Sequence, residues 1–273
     1  MADFSIIGGS QRYENAGVDA ASSSGVDVIS SGTINTKGSW TELTASTGFD
    51  YNSLIMMAKN SNGAEVLLDI AVGAASSEEV IVENIPLNWD GSTEALCHPV
   101  KLPITIPAGT RISARVQSDI STTTIEVKCT GVSNVLSQSV GRGIATTYGA
   151  DTATSQGTQV DPGATANTKG AYTELAASTT YDIKKLIVCI GTDRTSSIST
   201  TWLMDVSVGA AASEEVIVPD TLLLGDGSHD GVTPGFLEFD VSIPAGTRIA
   251  LRGQCSSNSS SFLAPTLLPT CCA

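Results

Sequence analysis

The groups in this chain that could carry chemistry are few. Two adjacent carboxylate pairs, Glu78-Glu79 and Glu214-Glu215, come nearest to an acid–base couple. Neighbouring residues on a strand face opposite ways, so neither pair can flank one scissile glycosidic bond. Each reads as a strand entry with one glutamate in water. The only histidines, His98 and His229, follow no metal-binding or HExxH spacing and are expected in solvated loops. Asp90-Gly91-Ser92 and Asp226-Gly227-Ser228, the latter extended by Asp230 and Gly231, could offer oxygens to calcium. They lack the EF-hand spacing and its terminal glutamate, so plain Asp-Gly turns are expected. No GxSxG, GxxxxGK[ST] or GxGxxG motif occurs. The expectation is a protein that is not an enzyme, with no catalytic residue, no metal and no cofactor.

The cysteines point elsewhere. Cys97, Cys129, Cys189 and Cys255 are scattered without a CxxC pair, which argues against zinc and for small buried hydrophobes. Cys271 and Cys272 stand together beside the C-terminus as candidates for an intermolecular disulfide. Trp89 has no aromatic counterpart at Gly225, and with His98, Asp226, His229 and Asp230 it forms the set of candidate contact-loop residues. Trp202 lies near the same loops. Trp40 and Tyr172 occupy equivalent positions and are expected to anchor the cores. Asp69 and Asp205 interrupt apolar runs, and an outward-facing carboxylate is preferred there to a buried, hydrogen-bonded one.

These positions are equivalent because the chain is written twice. Val72–Val82 returns as Val208–Val218 with ten of eleven residues unchanged, and Ile106–Ile112 (IPAGTRI) returns intact as Ile243–Ile249. Upstream, Asn35-Thr36-Lys37-Gly38 matches Asn167-Thr168-Lys169-Gly170, and Thr41-Glu42-Leu43 matches Thr173-Glu174-Leu175. Gly17, Asp19, Gly25 and Val28 recur as Gly149, Asp151, Gly157 and Val160. A unit of about 136 residues is too long for a solenoid repeat, so each copy is read as a domain, 1–136 and 137–273.

Within a copy, short runs of period-two alternation are bounded by Gly, Pro, Asn and Ser. Ile112, Ala114 and Val116 share one face of a strand; Arg111, Ser113 and Arg115 share the other. The Pro-Ala-Gly triplets Pro107–Gly109 and Pro244–Gly246 supply a fixed φ and then a positive φ, reversing the chain between strands. Seven or eight strands per copy predict an all-β fold of two tandem antiparallel β-sandwiches, jelly-roll-like, with a closed barrel as the alternative. Ser/Thr/Gly-rich stretches at Gly8–Thr33 and Gly141–Thr165 read as an extended N-terminal arm and a linker, mobile unless laid on another surface. The second copy's Gly191–Thr201 loop, about four residues longer, is expected to meet different neighbours.

Composition narrows the partners. With 14 Lys and Arg against 28 Asp and Glu the net charge is −14, which repels phosphate backbones and anionic lipids. No apolar run is long enough to span a bilayer, and MADFSIIGG lacks the blocks of a signal peptide. Neither nucleic acid nor membrane is expected as a partner.

With its repeated NTKG[SA][WY]TEL and IPAGTRI signatures, the chain resembles small virion surface proteins of tailed bacteriophages. The resemblance implies a head decoration or cement protein, a collar attachment or a tail-fibre module, made in the host cytoplasm and resident in the virion. It implies other virion proteins (capsid, neck or tail subunits) as partners, and a homo-oligomer, with a trimer as the first expectation. The alternative is a receptor- or carbohydrate-binding module of a tail or head fibre.

Overall fold

A computed structural model describes residues 11–60, 63–87, 99–133, 147–192, 201–226, 229–233, 235–257 and 263–270. In the first copy the strands are β1 (Arg12–Ala16), β2 (Val18–Asp19), β3 (Ser24–Ile29), β4 (Thr41–Thr44), β5 (Ser53–Asn60), β6 (Val66–Val72), β7 (Glu79–Leu87), β8 (Val100–Leu102), β9 (Ile112–Ser118) and β10 (Thr124–Ser133). In the second they are β11 (Ala150–Asp151), β12 (Gln156–Gly157), β13 (Thr173–Ala176), β14 (Ile183–Thr192), β15 (Thr201–Val208), β16 (Glu215–Asp226), β17 (His229–Thr233), β18 (Phe236–Ile243), β19 (Ile249–Cys255) and β20 (Leu263–Thr270). No helix is present among the described residues, and their ladders are antiparallel.

One sheet of the first copy runs β2-β3-β10-β5-β8, with β1 also on β10; the other runs β4-β9-β6-β7. The chain therefore steps between sheets in the order of a jelly roll, from β3 through β10. The second copy repeats both paths, as β20-β14-β18 and β13-β19-β15-β16, and adds β17 at one edge. The sheets are open paths, so the barrel alternative is set aside. Alternation decides which side chains meet: Leu54, Met56, Val127 and Cys129 of one sheet share an apolar cluster with Val66, Leu68, Ile70, Ile112, Ala114 and Val116 of the other. Leu186, Val188, Met204, Val206, Ile249 and Leu251 do the same in the second copy.

The stretch expected as a loose arm is part of the first sandwich. β1 and β3 pair end to end along β10, and Ala16 and Val28 are buried. Small residues are used there because the strands lie very close: a Cβ on Gly25 would fall within 3 Å of the Val127 backbone. In the second copy this edge is reduced to the hairpin β11–β12 and single bridges Tyr148–Leu267 and Val160–Leu263.

The Pro-Ala-Gly turns form as the sequence predicts, with φ +78° at Gly109 and +80° at Gly246. A neighbouring loop staples each one: Ala108 N–H donates to Asp50 Oδ1 at 2.7 Å and Ala245 N–H to Asp182 Oδ1 at 2.8 Å. Thr47 and Thr179 hydroxyls donate to the Pro107 and Pro244 carbonyls.

Cys129, Cys189 and Cys255 are free and buried; Cys97, Cys271 and Cys272 lie outside the described residues. Burial pushes the Cys129 thiol up to about 12 and raises that of Cys189 as well. Since the thiolate is the reactive form, these two should resist a thiol reagent at mildly alkaline pH until the protein unfolds. Mass-spectrometric mapping of the labelled sites checks this, and prompt labelling of either in folded protein contradicts it.

Candidate functional site

Asp69 and Asp205 are the most unusual side chains of the fold. Alternation places them on the outer face of β6 and β15, as expected, yet they are 0% and 3% exposed. The preference for a solvated carboxylate is thereby corrected, because residues far away in sequence cover that face. Lys37 reaches across to Asp69 Oδ1 at 2.7 Å and donates to the Leu67 carbonyl at 3.2 Å; Arg115 Nε meets Asp69 Oδ2 at 2.9 Å. Lys169, the Leu203 carbonyl and Arg252 repeat this around Asp205 at 2.8, 3.1 and 2.9 Å.

A backbone irregularity supplies each carboxylate with one more donor. The β6–β7 register shifts between Leu68 and Ile70, and β15–β16 shifts between Met204 and Val206. At these bulges Asn84 (φ +55°) and Asp220 (φ +48°) turn their N–H groups onto Asp69 Oδ1 and Asp205 Oδ1, at 2.8 and 2.9 Å. Burial alone would raise the Asp205 pKa; the Asp220 N–H, Lys169 and Arg252 outweigh it and hold the group below its ordinary value. Burial lowers the pKa of Lys37, against the pull of Asp69.

Trp40 and Tyr172, expected to anchor the cores, are half-buried on the outer face instead. Their rings lie under the guanidinium groups of Arg115 and Arg252, at 4.3 and 4.6 Å from ring centre to Cζ. An aromatic face is what a planar cation needs beside it once its edge is committed to a carboxylate.

A second duplicated cluster absorbs the paired glutamates. Arg111 bonds Glu42 at 2.8 Å and Glu78 at 3.1 Å; Arg248 bonds Glu174 at 2.6 Å and Glu214 at 3.0 Å. The hydrogen bonds that Arg111 and Arg248 donate to Glu42 and Glu174 lead the effects that raise the two arginine pKa values. Glu79 and Glu215 are exposed, so each pair divides as its strand position requires. The NTKG, TEL, SEEVIV and IPAGTRI signatures thus converge on two ion clusters per copy.

Of the contact-loop candidates, Trp89 and His98 lie outside the described residues, as does most of the Gly191–Thr201 loop. Asp226 and His229 are cross-strand partners at the β16–β17 hairpin, with Asp230 next in β17. Trp202 is fully buried in the second core, which removes it from any loop surface. Among the described residues no group of three or more His, Cys, Asp or Glu side chains is placed to hold a metal ion.

One contact went unforeseen. The turn between β11 and β12 is seated on the outer face of the first copy, where Gln117 Nε2 donates to the Thr152 carbonyl at 2.9 Å and to Ser155 Oγ at 3.1 Å. Ser155 Oγ donates in turn to Asn35 Oδ1 at 2.8 Å. Beside it, Thr147 Oγ1 donates to the Glu83 carbonyl, and Ile187, Cys189 and Leu268 join the first copy's apolar cluster. The repeat does not mark this junction, since Asn35, Gln117 and Ser155 have counterparts in Asn167, Gln254 and Ser23 that make no such contact within the described residues.

No protein-family model matches the chain, and no curated protein does.

A carboxylate held below its unfolded pKa adds stability that is complete above about pH 5 and is lost as pH falls through the folded value. Asp205→Asn should flatten the acid limb of stability against pH and, by leaving Lys169 and Arg252 without their anion, cost roughly 3 kcal/mol at neutral pH. Urea unfolding at a series of pH values checks both; an unchanged acid limb contradicts the assignment.

Proposed function

We propose that the chain is a non-enzymatic structural component of a phage virion, of decoration or cement type, that binds and stabilises neighbouring particle subunits. The observation that carries this reading is the seating of the β11–β12 turn on the first sandwich: a short polar hairpin grips an adjacent β module through side chains that the sequence provides in duplicate. A protein built from such modules stabilises a particle by adding interface, with about 800 Å² per partner being the usual size of a specific contact. The ion clusters support the same reading. The shared Lys37/Lys169, Asp69/Asp205, Arg111/Arg248 and Glu78/Glu214 are engaged in holding each sandwich together, a use suited to a rigid clamp.

The proposed partners are capsid, neck or tail subunits, and the proposed location is the virion after synthesis in the host cytoplasm. A receptor- or carbohydrate-binding role needs aromatic faces on the loops, and the burial of Trp202 takes away one of two candidates. Particles lacking this protein should release their contents at lower temperature and on milder dilution of salt than complete particles, and adding the purified chain back should restore resistance. Equal resistance with and without the chain would overturn the proposal.

A further inference from the structure

The junction between the two copies has both of its halves present a second time, unused. On the donor side, the turn after β2 is built like the turn after β11. Asp19 accepts from the Ala21 N–H at 2.9 Å and from the Ser22 hydroxyl at 2.7 Å; Asp151 accepts from the Ala153 N–H at 3.0 Å and from the Thr154 hydroxyl at 2.8 Å. Ser23 and Ser155 follow at φ +58° and +63°. Ser155 is 0% exposed beneath the first copy, whereas Ser23 is open to solvent.

On the acceptor side, Asn167 and Gln254 stand where Asn35 and Gln117 stand in the first copy. The loops match in backbone detail: Asn35 N–H donates to the Ser118 carbonyl at 2.7 Å and Asn167 N–H to the Cys255 carbonyl at 2.8 Å. Gln117, bonded to the hairpin of the second copy, and its neighbour Leu67 are buried, while Gln254 and Leu203 remain partly exposed. Next to Leu203 on the sheet is Leu222, exposed to 54%; its counterpart Pro86, paired with Leu67, is buried and has Gly191 of the second copy beside it.

The space that β7 fills against β14 and β20 also has an empty twin. In the first copy an open groove of about 450 Å³ runs between the donor turn and the sheet, lined by Asp19, Ser23, Met57, Lys59, Glu126 and Lys128. Gly191 and Ala264, a register pair at the filled site, are replaced here by the ion pair Lys59–Glu126 at 3.1 Å. The unused site is therefore more polar than the filled one, which suits a contact made between chains and broken again.

We propose that this protein self-associates head to tail: the Asp19–Ser24 turn of one chain docks on the Asn167/Gln254 face of a second copy, with that copy's Leu222 edge entering the groove. The contact is heterologous, since the two surfaces differ, and it generates rings if the rotation closes and filaments if it does not. It goes beyond the proposed function, because its only partner is this chain.

The test is light scattering of the purified full chain over a range of concentrations. Wild type should gain mass with concentration. Ser23→Arg removes the donor and Gln254→Arg the acceptor, and each variant alone should stay monomeric with a wild-type thermal midpoint, its association weakened at least about tenfold, roughly 1.4 kcal/mol. Mixed in equal amounts they should form a dimer and stop there, since one chain retains an acceptor and the other a donor. A wild type that is monomeric at every concentration, association that survives both substitutions, or a mixture that stays monomeric would overturn the proposal. Each of those results leaves the comparison of particles with and without the protein standing.

Discussion

An ionised carboxylate in the middle of an apolar strand is tolerated only if the donors it loses from water are replaced. Asp69 and Asp205 meet that requirement with a lysine, an arginine and the freed N–H of a β-bulge on the next strand. Much of each sandwich is arranged around this demand. The lysine must come from a loop lying along the neighbouring strand, so Asn35 and Asn167 adopt positive φ to bring Lys37 and Lys169 over the sheet. The arginine must present its edge to the carboxylate, which leaves its face to Trp40 or Tyr172. Replacing such a cluster with apolar side chains is often neutral for stability, whereas removing one partner strands a buried charge and is strongly destabilising.

That arrangement fixes where the outer face can make contacts. Asn35 sits two residues before Lys37, and Gln117 two residues after Arg115 on the same face of β9. The side chains that receive the β11–β12 turn are thus held at the margin of the ion cluster, and a rigid clamp beneath positions a polar docking surface above it. This links the buried charge to the seating of the β11–β12 turn. Duplication then supplies two such surfaces and two such turns in one chain, of which only one pair can be satisfied internally.

Much of this was legible in the sequence. The Pro-Ala-Gly turns, the alternating faces of β9 and β19 and the division of each glutamate pair follow from local rules, and the structure has them. Parity also placed Asp69 on the correct face. It could not tell that the face is covered, since the cover comes from Lys37 and Arg115, more than thirty residues to either side. Equivalent aromatic positions suggest core anchors at Trp40 and Tyr172, but their partners are the cations Arg115 and Arg252 on the outer face. The N-terminal stretch lacks large apolar residues and so reads as an arm, mobile unless laid on another surface; close packing of Gly25 against β10 replaces bulk with proximity.

The most direct test of this account is a double-mutant cycle on each clamp, with alanine replacing Lys37 and Asp69 singly and together, then Lys169 and Asp205, read by urea unfolding. The account predicts a coupling of roughly 1–3 kcal/mol in each copy. Effects that add within about 0.5 kcal/mol in both copies would contradict it.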